Sequence, residues 1–180
     1  MSGSAAIAAT RCWVEKVVVG MNLCPFARPV VETGRIRFVV SDADDFEPAL
    51  TDFAEELARL DTDETTETSL FILPGGFADF DHYLDLLAMA NALLVDLGYE
   101  GVYQLASFHP EYQFESSEPD DPANCTNRSP YPMFHLIREE SLARALADFP
   151  NPEKIPGRNV EATRAKGLEA MRKMLADCGG

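Results

Sequence analysis

The stretch RIRFVVSDADDFEPALTDFAEELARLDTDETTETSLFILPGG, residues 35–76, decides the fold class. At its start Ile36, Phe38 and Val40 alternate with Arg35, Arg37 and Val39, the two-residue period of a strand over Arg35–Ser41. Pro48 then sits where a first helical turn tolerates a missing N–H. Leu50, Phe53, Leu57 and Leu60 return at helical spacing and give that helix one apolar stripe. Ser69–Leu73 is a second strand, closed by Pro74, Gly75 and Gly76. Strand, helix and strand in one run carry apolar faces that a layered arrangement buries.

The alternation continues toward the C-terminus. A helix over Asp79–Leu97 aligns Tyr83, Leu84, Leu87, Asn91 and Leu94, and Gly98 ends it. A third strand spans Gly101–Phe108, a loop spans Pro110–Pro130, and a short strand spans Met133–Ile137. A helix over Glu139–Phe149 leads to a connector stiffened by Pro150, Pro152 and Pro156. The last helix, Arg158–Cys178, presents Val160, Leu168, Met171 and Leu175 on one face. Toward the N-terminus, Ala5–Val19 reads as a helix with Ile7, Val14, Val17 and Val18 near one face and Trp13 beside them. Its β-branched run Val17–Val19 also suits a strand. Gly20 stops it, and Pro25 and Pro29 prevent its continuation. The order predicts one α/β (or α+β) layered domain over residues 1–180, with about four strands packed by about five helices. The pattern leaves the direction of the fourth strand open.

Composition narrows the function classes. The 180 residues fit a single core, and 46% hydrophobic with 25% charged residues excludes disorder throughout. A net charge of -15 opposes nonspecific nucleic-acid binding, which needs a basic face. The apolar runs fall short of the roughly 20 residues that cross a bilayer, so no membrane partner is expected. Met1–Ala9 carries no positive charge ahead of Arg11, which argues against a secretory leader. Cys12, Cys24, Cys125 and Cys178 have no patterned spacing; without an export signal, free thiols in a reducing cytoplasm are expected.

Three segments concentrate reactive or polar side chains: 22–26 (NLCPF), 107–112 (SFHPEY) and 124–138, from Asn124 through His135 to Arg138. The 110–130 loop is longer than compact domains usually carry without a role, and ligands of open α/β sheets gather beyond the carboxyl ends of strands. The strings WVEKVVVGMNLCPFA (13–27), GVYQLASFHPEYQF (101–114) and NCTNRSPYPMFHLIREES (124–141) together resemble a bacterial family, domain-of-unknown-function family 1415. The resemblance covers nearly the whole chain. It supplies a family label and implies no reaction, cofactor or catalytic residue.

The residues themselves suggest a site. Cys24 is a candidate nucleophile, with His109 or His135 as its base. Against this, Cys24 follows a helix C-terminus, whose dipole opposes a thiolate, and a free cysteine is commonly a packed apolar group. His109 would stand at a strand end as a general base or be bonded to a loop carbonyl; His135 would alternate onto the face opposite Phe134 and Leu136. Arg128 and Arg138 suit a carboxylate or phosphate, with Asn127, Ser129 and Tyr112 as further ligand contacts. Arg128, Ser129 and Pro130 also read as a turn. Cys24, His109, Cys125 and His135 make a conceivable zinc set, without the paired spacing of known metal motifs. Asp61–Thr66 lacks the glycine of a calcium loop and reads as an acidic connector, and Gly75-Gly76 reads as a turn ahead of an Asp79 N-cap.

The leading expectation is therefore a protein that binds a small anionic or polar molecule, with an acyl- or amide-transfer reaction as its catalytic form. The alternative is a protein–protein interaction module using the 110–132 loop, anchored by Tyr112, Phe114 and Tyr131. A metal-dependent enzyme is the third reading. Cofactor and oligomeric state are not specified by the sequence.

Overall fold

A computed structural model describes residues 3–179; the start of the leader reading, Met1 and Ser2, lies outside the described residues. In chain order the elements are α1 (Gly3–Trp13), which runs on as a π-helix (Val14–Val19), α2 (Ala27–Glu32), β1 (Ile36–Val40), α3 (Phe46–Thr62), β2 (Thr68–Ile72), α4 (Phe80–Asp96), β3 (Tyr103–Phe108), a 3-10 turn (Pro122–Thr126), β4 (Met133–Arg138), α5 (Glu139–Ala147), a second 3-10 turn (Pro152–Lys154), α6 (Ile155–Lys166) and α7 (Leu168–Ala176). The fold is α+β: one four-stranded mixed sheet, of order β1-β2-β4-β3, between helical layers. β1 and β2 are parallel, joined by the α3 crossover. β4 enters antiparallel between β2 and β3, which answers the question the pattern left open.

The two-residue period divides the sheet between two cores. One face sends Phe71, Phe134 and Leu136 toward α3 and α4, against Phe53, Leu57 and Tyr83. This layer holds a carboxylate, Glu56, which is 4% exposed. Arg37 Nε lies 3.0 Å from both of its oxygens, and the Ser69 hydroxyl donates to it at 2.5 Å. The other face sends Leu70, Ile72 and Met133 toward α1, the π-helix and α7, against Ala6, Trp13 and Met171.

Three expectations are corrected. The buried stripe of α4 is Tyr83, Leu86, Ala90 and Leu94; Leu84 is 38% exposed and Asn91 faces outward, because small Ala90 lies in the layer shared with α3. The last helix is two helices, broken at Gly167, whose φ of +85° a β-carbon would strain. Cys12 and Cys178 are bonded to each other, with Cα atoms 5.4 Å apart, leaving Cys24 and Cys125 free. Their separation of 166 residues gave the sequence no spacing to read; α7 packing back on the π-helix brings them together. That bond removes the free-thiol argument on which a cytoplasmic setting rested. Among the described residues no helix is long and apolar enough to cross a membrane.

Candidate functional site

The N-terminal helix opens at Val14 into a π-helix that contains its β-branched run Val17–Val19. Gly20 N–H reaches back to the Glu15 carbonyl (3.0 Å), and Leu23 N–H to that of Val18 (2.9 Å). A β-carbon at Gly20 would lie 2.1 Å from the Lys16 carbonyl oxygen, so the wide turn requires glycine there. Insertions of this kind are frequent at functional sites. The chain then turns through Asn22, at φ +55°, to present Cys24. From α6, Arg158 and Asn159 hold this turn by donating to the Asn22 and Leu23 carbonyls at 2.7 and 2.6 Å.

Cys24 stands between two cavities. One, about 330 Å³, lies on the sheet face opposite Phe134: Leu70, Ala106, Phe108 and His135 line it from the sheet, and Trp13 and Val18 from the helix above. The other, about 510 Å³, lies between the 3-10 turn and α6 and carries polar groups from Ser117, Asp121, Asn127, Asn159 and Arg164. Val18, Cys24 and Phe108 line both. Arg164 pairs with Asp121 at 2.6 Å and holds that carboxyl well below the usual carboxylate range. The two cavities meet at Val18, Cys24 and Phe108 as a two-lobed cleft: one lobe is almost wholly apolar, and the other, the polar lobe, mixes those polar groups with Leu23, Phe114, Ile155 and Val160.

The thiol chemistry follows from burial. Burial raises the Cys24 pKa, outweighing the backbone N–H groups of Phe26 and Ala27 and the nearby Arg158 that favour the thiolate. Cys24 is therefore a neutral thiol at pH 7. His135 lines the apolar lobe, and burial pushes its pKa down to about 4. Its Nε2 is 2.6 Å from the Thr68 hydroxyl, a contact the sequence reading missed. Thr68, flanked by Glu67 and Ser69 and just ahead of the strand read as Ser69–Leu73, gave no signal of this contact in the sequence.

The other singled-out residues have structural partners. His109 is fully buried on the α4 side, against the rings of Phe80 and Tyr83. Its Nε2 donates to the Phe77 carbonyl and its Nδ1 accepts the Glu111 N–H, both at 3.0 Å. Arg128 ties the long loop by donating to the carbonyls of Tyr112 (3.1 Å) and Pro119 (2.9 Å). Ser129 is buried and donates to the Tyr131 carbonyl, and Asn127, in the wall of the polar lobe, donates to that of Ser107. Arg138 borders the apolar lobe, but its guanidinium donates to the Leu60 carbonyl in the last turn of α3 and to the Asp63 and Thr66 carbonyls just after it. Tyr112 packs on Phe80 and Phe114. The three segments do meet: Cys24, Phe108, Asn127 and His135 all line the cleft. The conceivable zinc set does not assemble, since His109 belongs to the opposite layer; among the described residues no group of three His, Cys, Asp or Glu side chains is placed to hold a metal.

The model of the family described as Protein of unknown function (DUF1415) matches residues 5–173. The chain belongs to that family. The matched span contains every residue lining either lobe and ends before Cys178, the partner of Cys12. No curated protein matches the chain, and no solved structure does.

Proposed function

We propose that this protein binds a small molecule across the two-lobed cleft, with Cys24 at the junction. The observation that carries the reading is the shared lining: Val18, Cys24 and Phe108 belong to cavities of 510 and 330 Å³, the size range of small-molecule sites. A bound molecule would lay an apolar part over Phe108 and Leu70 and direct a polar part toward Asn127, Asn159 and Arg164. Burial keeps the Cys24 thiol protonated and both His109 nitrogens are engaged, which favours binding over acyl or amide transfer. The interaction-module reading has less support, because Tyr131 is buried and Tyr112 and Phe114 are half-buried.

Trp13, the single tryptophan, lines the apolar lobe and reports on it. Titrating a chemically diverse fragment set should give saturable changes in its fluorescence, with matched protection of Cys24, but not Cys125, from alkylation. A set in which no compound does either refutes the reading.

A further inference from the structure

A short hydrogen-bond chain runs through Thr68 and His135, both in the wall of the apolar lobe. The Thr68 hydroxyl oxygen lies 2.5 Å from the Leu136 carbonyl oxygen and 2.6 Å from His135 Nε2. A hydroxyl has one proton and a carbonyl can only accept. The Thr68 proton therefore goes to Leu136, and the histidine contact must be donated by an N–H on Nε2. A neutral imidazole protonated at Nε2 has its lone pair on Nδ1. Burial, which pushes the His135 pKa down to about 4, keeps the ring neutral at pH 7.

Among the described residues His135 Nδ1 has no hydrogen-bond partner. Among the described residues the side-chain polar atoms that are both fully buried and unpartnered are Thr10 Oγ1 and Trp13 Nε1; Nδ1 is not one of them, so it is open to the cavity that the ring lines. Leu70, Ala106, Ile137 and Val14 line that cavity with it. The charges at the rim are committed elsewhere: the Arg138 guanidinium bonds carbonyls at the C-terminal end of α3 and the Tyr103 hydroxyl, and Glu67 pairs with Arg35 at 2.9 Å. An acceptor lone pair in an apolar wall, with no free cation beside it, repels a carboxylate and rewards a donor.

We propose that the apolar lobe takes a neutral molecule with an apolar, ring-sized body and one hydrogen-bond donor, a hydroxyl or N–H of the phenol or indole kind, which His135 Nδ1 accepts. The inference rests on the cleft being a small-molecule site and narrows the anionic or polar ligand expected from sequence to a neutral donor.

The test compares phenol, toluene and benzoate, followed by Trp13 fluorescence, with long-range 15N correlation on the histidine rings. The free protein should show His135 protonated at Nε2 and bare at Nδ1. Phenol should bind about tenfold more tightly than toluene, the ratio one hydrogen bond of about 1.4 kcal/mol provides, and should shift the Nδ1 resonance, which toluene leaves in place. Benzoate should bind most weakly. In His135→Leu the advantage of phenol over toluene should vanish while toluene still binds. A free protein protonated at Nδ1, equal binding of phenol and toluene with Nδ1 unmoved, or preference for benzoate overturns the inference and leaves the binding reading standing. Failure of all three compounds to perturb Trp13 overturns the inference; the binding reading falls only if the wider fragment set and Cys24 protection fail too.

Discussion

His109 Nε2 stands 3.0 Å from the Phe77 carbonyl oxygen and donates to it. Phe77 has a φ of +61°, so the histidine pins a left-handed turn ahead of α4, while Nδ1 accepts the Glu111 N–H and fixes the start of the long loop. The ring joins two chain segments and has no nitrogen left for a substrate. His109→Leu strands a buried carbonyl and a buried N–H, and should cost about 2–4 kcal/mol in urea unfolding. If the variant melts like the wild type while small-molecule binding disappears, His109 belongs to the site after all.

Arg138 acts on a similar scale. Its guanidinium answers carbonyls at Leu60, Asp63 and Thr66, where the chain leaves α3. Arg138→Met should lower stability by about 2–3 kcal/mol, as expected for losing charge-assisted bonds to backbone groups. Lysine should rescue it poorly, because one ammonium cannot reproduce the planar fork. Full rescue by lysine in thermal melts would contradict this account.

Glu56 gives a companion case in the same layer. Arg37→Leu removes the Nε–H that both Glu56 oxygens share and leaves the carboxylate with Ser69 and a distant Arg59 (3.9 Å). The expected loss is about 2 kcal/mol, and Arg37→Leu combined with Glu56→Gln should recover part of it, since an amide is cheaper to bury than a charge. A double-mutant cycle reads the coupling directly; strict additivity would mean the pair contributes nothing.

Cys24 should behave as a slow thiol. Burial raises its pKa and that of Cys125, so iodoacetamide rates for both should keep rising past pH 9. Cys24, half-buried in the cleft, should react before the buried Cys125. A Cys24 rate that already levels off near pH 7, located by mass spectrometry, would mark an activated thiolate and return the covalent reading to the front.

Stability should fall on mild acidification. His135 titrates at about 4 when folded and near the ordinary value of about 6.5 when unfolded. The unfolded chain therefore takes up the proton first. The His135 contribution is complete above about pH 6.5, is lost as pH falls from there to about 4, and amounts to about 3 kcal/mol. The lowered His109 value works in the same direction from the same upper limit. Denaturant unfolding at a series of pH values should show the slope, and His135→Gln should flatten it; an unchanged slope in that variant assigns the effect elsewhere.

The Cys12–Cys178 bond closes nearly the whole chain into a loop. Reduction should lower unfolding stability by about 2–4 kcal/mol, and Cys12→Ser should reproduce the loss and no longer respond to reductant. A wild type indifferent to reductant would show that α7 stays docked without the bond.

Local sequence determined the elements. Alternation at Ile36, Phe38 and Val40 and the spacing of Phe53, Leu57 and Leu60 place β1 and α3 because side-chain period follows backbone geometry, whatever surrounds it. The same logic set the turns at Gly20 and Gly98 and kept the three polar segments outside regular elements apart from β3 and β4. The sequence could not place β4 between β2 and β3, since strand order depends on which faces cover one another and not on period. It could not give Gly167 its role, because a glycine within a helical pattern breaks it only where the next helix must turn to reach a partner. The sequence also could not choose between the histidines as the base for Cys24: only tertiary packing satisfied both nitrogens of His109 and left Nδ1 of His135 facing an apolar cavity. Hydrogen-bond satisfaction is a property of neighbours distant in the chain, as Thr68 is from His135, and that distance is what only the folded molecule closes.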